Sequence, residues 1–195
     1  MLDVGCGNGA FLKYLSQNAP SIKRLVGVDY SPNETTPEIE FFTGDAADIP
    51  GNETFDAVVS LAVIEHVPDP VAFANLLAER CNSGGYVVVM TVNDGSIVYR
   101  MARMMYGLGM IAPASRLYSS HHLQHFTLGS LQSTLARAGL DIITKHTHNS
   151  PLAAVDLPSA NLFKRAIFYA GLTGLSVAGS ATGTAYLQTV VARKN

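Results

Sequence analysis

The sequence predicts an α/β fold built on a doubly wound, mostly parallel sheet with helices on both faces. Three observations predict it: five short apolar runs separated by longer amphipathic stretches, a glycine-rich turn directly after the first run, and a composition with much to bury. Of 195 residues, 48% are apolar and only 14% charged, where an ordinary soluble domain has about 25% charged. That balance excludes intrinsic disorder, and the length fits a single domain over residues 1–195. A formal net charge of −2 offers no basic surplus for a phosphate backbone, so no nucleic-acid partner is expected.

Residues 1–4, 25–28, 39–43, 57–61 and 86–92 read as strands, rich in Val, Leu, Ile and aromatics as strands covered on both faces are. The first runs into Gly5, Cys6, Gly7, Asn8 and Gly9, followed by a helix carrying Phe11, Leu12 and Leu15. Alternate glycines clear Cβ atoms from one side of a turn and permit positive φ, so a ligand can lie against the backbone. Asp29 ends the second strand, 20 positions after Gly9, where a carboxylate can accept both ribose hydroxyls of a nucleoside. Turn and acid together point to an adenosine-containing cofactor.

The helices carry their own punctuation. Asp69 is an N-cap with Pro70 at the first helical position, and Val71, Ala74, Ala78 and Cys81 share a stripe that residues 82–85 bring to a stop. Thr127 caps a helix bearing Leu128, Leu131, Leu135 and Ala138, with Gly139 as its left-handed exit. Residues 141–148 and 184–192 read as two further strands.

Residues 94–120 and 150–182 read as insertions, expected to form a lid and acceptor pocket. In the first, Ile97, Met101, Met105 and Leu108 recur at helical spacing, a stripe expected to pack on the core. In the second, Phe163, Phe168 and Tyr169 with Lys164 and Arg165 allow either a lipid-facing helix or an oligomer contact. Its apolar part, residues 166–181, is short of the roughly 20 residues a membrane span needs, so stable insertion is not expected. No secretion leader is read at the N-terminus, and Cys6 and Cys81 make neither a disulfide framework nor a metal spacing. A cytoplasmic location is the expectation.

The stretch from Leu2 to Gly9, Asp29, Gly44-Asp45-Ala46 and the run from Phe55 to Val59 together resemble class I S-adenosylmethionine-dependent methyltransferases. The loop is Gly-x-Gly-x-Gly, unlike the Gly-x-Gly-x-x-Gly of nicotinamide-dependent dehydrogenases. A dehydrogenase on a related sheet is the competing enzyme reading, and a non-catalytic cofactor-binding relative is a third. The resemblance implies a Rossmann-like seven-stranded sheet with an antiparallel edge hairpin, S-adenosylmethionine as cofactor and S-adenosylhomocysteine as product. Asp3 and the backbone of Gly5, Cys6, Gly7, Asn8 and Gly9 would face the methionine portion. Asp29, followed by Tyr30, would take the ribose, Asp45 and the Ala46 amide the adenine edge, and Leu61 and Ala62 would line the cofactor.

The segments from Ile64 to Pro70 and from His122 to Thr127 resemble the branch containing ubiquinone-biosynthesis O-methyltransferases and enzymes of surface-glycan pathways. That resemblance implies O-methylation of a small-molecule, glycan or lipid-precursor acceptor. His66, His122 and His125 are the candidates for a base near it, His121 being their neighbour. Some relatives hold a divalent metal with Glu-x-x-Glu-His, but Ala62 stands at the first Glu position, so no metal is expected. Met1 falls inside the first strand, where relatives carry an earlier helical segment over the cofactor. Either the chain is truncated or its insertions supply the lid.

Overall fold

The structure is a computed structural model that describes residues 1–118, 121–150 and 162–195, with Asn52 and residues 162–168 described by backbone alone. Seven strands form one sheet: β1 (Leu2–Val4), β2 (Leu25–Asp29), β3 (Ile39–Thr43), β4 (Phe55–Leu61), β5 (Cys81–Val92), β6 (Leu140–His148) and β7 (Leu187–Lys194). Their spatial order is β3-β2-β1-β4-β5-β7-β6. The first five pair in parallel, while β7 runs antiparallel to both β5 and β6. The expected sheet and its antiparallel edge are both present.

The order reverses between β1 and β4, which opens the crevice where sheets of this type receive ligands, outside the carboxyl ends of the strands. Side chains alternate across β2, so Leu25 enters a cluster with Cys6, Leu12 and Ile39 while Val26 and Val28 enter the main core. Helix α1 (Ala10–Asn18) covers the first face with Leu12. Helices α2 (Pro70–Glu79) and α5 (Leu128–Arg137) cover the second with Leu77, Leu131 and Leu135, each fully buried.

Local chemistry accounts for the helix starts. Asp69 Oδ1 accepts from the Val71 and Ala72 amides, both at 3.0 Å, and Thr127 Oγ1 accepts from the Ser130 amide at 3.2 Å. Gly139 leaves α5 at φ +76°.

Three expectations are corrected. Helix α2 ends at Glu79, and Cys81 begins β5 rather than ending the stripe. The stop signal of residues 82–85 is a bulge inside the strand, because register jumps from Phe55 opposite Cys81 to Ala57 opposite Tyr86. The last strand starts at Leu187, not at residue 184, since residues 184–186 are spent bonding the ends of neighbouring elements through the Thr184 and Tyr186 carbonyls.

The inserted helix α3 (Ile97–Gly107) buries Tyr99 and Ala102, whereas Met101 and Leu108 of the expected stripe are exposed. It is followed by α4 (Ile111–Leu117). Of the second insertion, residues 151–161 and the side chains of Phe163, Lys164, Arg165 and Phe168 lie outside the description; the backbone of α6 (Leu162–Thr182) is helical. Among the described residues no helix is long and apolar enough to cross a membrane.

Gln188 holds the chain on either side of the first insertion to β7. It is fully buried, and its Nε2 donates to the Val92 carbonyl at 2.9 Å and to the Phe126 carbonyl at 2.8 Å. Gln188→Leu leaves both carbonyls without this donor and is expected to cost about 2 kcal/mol. A urea unfolding midpoint that does not move would contradict this role.

Candidate functional site

The glycine turn begins where β1 ends, and Gly5, Gly7 and Gly9 all have positive φ, +76°, +55° and +72°. Their reasons differ. A Cβ on Gly5 would lie 2.3 Å from Val63 Cγ2 and one on Gly9 2.5 Å from Phe41 Cζ, whereas one on Gly7 meets nothing within 4 Å. Two of the three glycines are therefore demanded by internal packing, and only Gly7 faces open space.

Asp29 at the end of β2 is fastened to this turn. Its Oδ2 accepts from the Gly7 amide and its Oδ1 from the Ser31 amide, each at 2.8 Å, while Asn33 Nδ2 donates to the Gly7 carbonyl at 2.7 Å. The carboxylate keeps further lone pairs, so a ribose is accepted at a preorganised group. Asn33 had no signal in the sequence. Asn8 caps within the turn, its Oδ1 accepting from the Ala10 amide at 3.1 Å. The Cys6 side chain points into the core cluster, and burial pushes its thiol up to about 12, so only its backbone belongs to the turn.

Asp3, in the middle of β1, is buried, and its Oδ1 has no partner among the described residues. Burial first, and the nearby Asp29 charge second, push its carboxyl up to about 7. A cation arriving beside it would return it to the ionised form.

At the end of β3, Asp45 caps a 3-10 turn through its Oδ1, accepting from the Ala47 amide at 2.9 Å, and its Oδ2 accepts from the exposed Tyr30 hydroxyl at 3.1 Å. Ala46 is buried beneath. From below, the Arg80 guanidinium donates to the Ala47 carbonyl at 2.8 Å and fixes this turn. The glycine turn, Asp29, Tyr30, Asp45 and Ala46 thus lie along the ends of three adjacent strands, with Asp3 inside the first of them.

The neighbouring end of β4 holds Leu61 and Ala62. Ala62 has φ +58°, and among the described non-glycine residues it alone has positive φ, a strain that such sites store at functional positions. Nothing in the sequence signals it. A short 3-10 turn then presents Glu65 and His66. His66 Nδ1 lies 2.7 Å from the His121 carbonyl; a carbonyl only accepts, so Nδ1 carries the proton and Nε2 keeps its lone pair.

The His66 and His122 rings lie 5.0 Å apart, and His122 and His125 6.0 Å apart. Ligand-type atoms of Glu65, His66 and His122 all fall within 4.8 Å of one another. The Glu65 carboxylate is buried, and burial holds the His122 imidazole below the usual histidine range, with Glu65 opposing that shift. Glu65 and His66 are the last two residues of the relatives' Glu-x-x-Glu-His motif, whose first Glu is Ala62 here; the fold adds His122. Such a group can relay a proton, as expected of the candidate histidines, or receive a divalent cation, which was not expected. His125 sits farther on, its ring 4.7 Å from that of Tyr118. Tyr118 in turn lines a cavity of about 520 Å³ with Arg103, Tyr106, Ile111, Ala114 and Ser115, between α3 and α4.

A model of the methyltransferase domain family matches residues 1–145. The chain belongs to this family. A ubiquinone biosynthesis O-methyltransferase from Xanthomonas axonopodis pv. citri is 24% identical over 154 residues, 73% of this chain and 62% of that protein. The enzyme of the same name from Azorhizobium caulinodans is 31% identical over 104 residues, 48% of this chain and 40% of that one. The chain spans about half the length of the curated relatives it matches. Among solved structures, magnesium protoporphyrin IX methyltransferase from Synechocystis PCC 6803, with bound S-adenosylhomocysteine, superposes with a TM-score of 0.59 at 14% identity, covering 100% of this chain and 73% of that one. The methyltransferase fold expected from the sequence is thereby borne out.

Proposed function

We propose that this methyltransferase domain uses S-adenosylmethionine to methylate a hydroxyl of a small-molecule, glycan or lipid-precursor acceptor. The observation that carries the reading is the row of Gly7, Asp29 and Asp45 after consecutive strands, with Asp3 inside the first, and with Glu65 and His66 after the next strand joined by His122 from the segment before α5. Asp29 takes the ribose hydroxyls, Asp45 and the Ala46 amide the adenine edge, and Asp3 the cationic methionine end. The relatives named for O-methylation support the choice of oxygen.

The acceptor oxygen attacks the methyl carbon in line, a C–O bond forms, and the C–S electron pair returns to sulfur, giving S-adenosylhomocysteine. Alignment and exclusion of water supply most of the acceleration. The acceptor proton passes to His66 Nε2, the lone pair left by the His121 carbonyl contact, with His122 and buried Glu65 beside it to hold the charge. His125 is farther away and orients Tyr118 at the cavity, which receives the body of the acceptor. The two buried thiols support a reducing, cytoplasmic compartment.

The test is transfer of a labelled methyl group to hydroxylated aromatic, glycan and lipid acceptors. His66→Ala is expected to lower kcat about a hundredfold while affinity for S-adenosylhomocysteine stays unchanged, with chelator making no difference. Unchanged turnover would remove His66 from the chemistry, and loss of turnover in chelator would assign Glu65, His66 and His122 to a metal instead.

A further inference from the structure

The charges of this chain are segregated. Residues 1–79 carry 12 acidic and 3 basic side chains, net −9, whereas residues 80–195 carry 3 acidic and 10 basic, net +7. Between residues 95 and 140 there is no Asp or Glu at all. That stretch contains α3, α4 and the turn joining them, and it is where exposed apolar side chains concentrate: Met104, Tyr106, Leu108, Met110 and Ile111 are all exposed. Residues 104–112 hold no charged side chain, and exposed Arg100 and Arg103 precede them while exposed Arg116 follows.

We propose that the α3–α4 hairpin docks on an anionic lipid surface, its apolar tip entering the headgroup boundary and its arginines meeting lipid phosphates. Water is a poor solvent for five neighbouring large apolar groups, and a patch of that kind marks an interaction surface. Charge complementarity selects the occupant: exposed Arg100 and Arg116 flank the tip and make no ion pair among the described residues, while Asp94, the acidic residue preceding α3, is already paired with Arg103 at 2.9 Å. Leu108 and Ile111 stand 70% and 62% exposed at the turn, which favours insertion among acyl chains over the base stacking and groove contacts of a nucleic-acid partner. Basic side chains beside an inserted apolar loop bind anionic bilayers and release them as salt rises. Tyr106 and Ile111 also line the cavity between α3 and α4, so docking brings its mouth to the lipid. The docking does not depend on methyl transfer, and neither result below needs an active enzyme.

The experiment is flotation of the full chain with vesicles of phosphatidylcholine alone or with about 30% phosphatidylglycerol. Binding is expected only to the anionic vesicles and should weaken as salt is raised. The double variant Leu108→Asp with Ile111→Asp should lose at least about tenfold in bound fraction, since two charges must then enter the interface. Arg100→Gln with Arg116→Gln should flatten the salt dependence. Tyr14→Asp, at an exposed tyrosine in the acidic half, should change nothing; thermal melts confirm that each variant is folded. Absence of binding to anionic vesicles overturns the proposal. So does binding unaffected by the Asp variants, retention on heparin without vesicle binding, or self-association through Leu108 and Ile111 without vesicle binding.

Discussion

Gly5→Ala is expected to destabilise the fold by about 3 kcal/mol or more, while Gly7→Ala is expected to fold and to lose at least about a hundredfold in affinity for S-adenosylhomocysteine. The two residues lie in the same turn with similar backbone angles, and the difference comes from what surrounds them. At Gly5 the new methyl meets Val63 Cγ2 at 2.3 Å with φ at +76°, so a buried overlap adds to left-handed strain. At Gly7 no atom lies within 4 Å and φ is +55°, so the penalty is the strain alone, about 1–2 kcal/mol. Under the proposed function, the space a methyl would fill there is the space through which the cofactor reaches the backbone. Urea denaturation and calorimetric titration separate the two effects. Equal stability losses would contradict the open space at Gly7, and a Gly7→Ala protein that binds as tightly as the parent would contradict the ligand's approach there.

Asp3→Asn is expected to move stability and cofactor affinity in opposite directions. The Asp3 carboxyl is pushed from 3.8 to about 7 by burial, so above pH about 4 the unfolded chain ionises this group while the folded chain keeps it protonated. Wild-type stability therefore falls as pH rises from about 4 to about 7, and above that the burial cost is fully present, at most about 4 kcal/mol. The variant has no such titration. It should melt higher than the parent at pH 8, with the gain fading as pH falls to about 4. Under the proposed role of Asp3 it should also bind S-adenosylhomocysteine more weakly, because a neutral amide would replace the carboxylate facing the ligand's ammonium group. In the parent, that ammonium favours ionised Asp3, so binding near pH 6 should release protons, visible as a dependence of the binding enthalpy on buffer. A stability difference that does not change with pH would contradict the buried, protonated state of Asp3.

Much of the sheet was legible because its signals are local. The apolar runs, the Asp69 and Thr127 caps and the left-handed Gly139 each rest on a few neighbouring residues, and Asp29 could be placed by counting along one strand and one helix. What escaped depends on contacts between distant parts of the chain. Val63 and Phe41 are the reasons for Gly5 and Gly9, yet neither is near its glycine in sequence. His122 joins Glu65 and His66 because the segment preceding α5 is bonded to their turn, through the Gln124 amide on the Glu65 carbonyl and the His121 carbonyl at His66, and is held to the ends of β5 and β7 by the Asn93–Phe126 bridge and Gln188. Periodicity on α3 pointed to the wrong face, because Met101 and Leu108 satisfy a helical stripe as well as Tyr99 and Ala102 do. The segregation of charge was present in the sequence but vanishes in a net charge of −2.

The central claim is a cofactor site assembled by Asp29 and the glycine turn. The direct test is calorimetric titration of the chain with S-adenosylhomocysteine, beside Asp29→Ala and with NAD as the control ligand. Asp29 accepts two amide hydrogen bonds as well as the proposed ribose, so the variant should lose about 1–2 kcal/mol of stability yet remain folded. The expected result is micromolar binding by the parent, at least about a hundredfold weaker binding by the variant, and none of NAD. Equal affinity in parent and variant, or tight binding of NAD in place of S-adenosylhomocysteine, would contradict it.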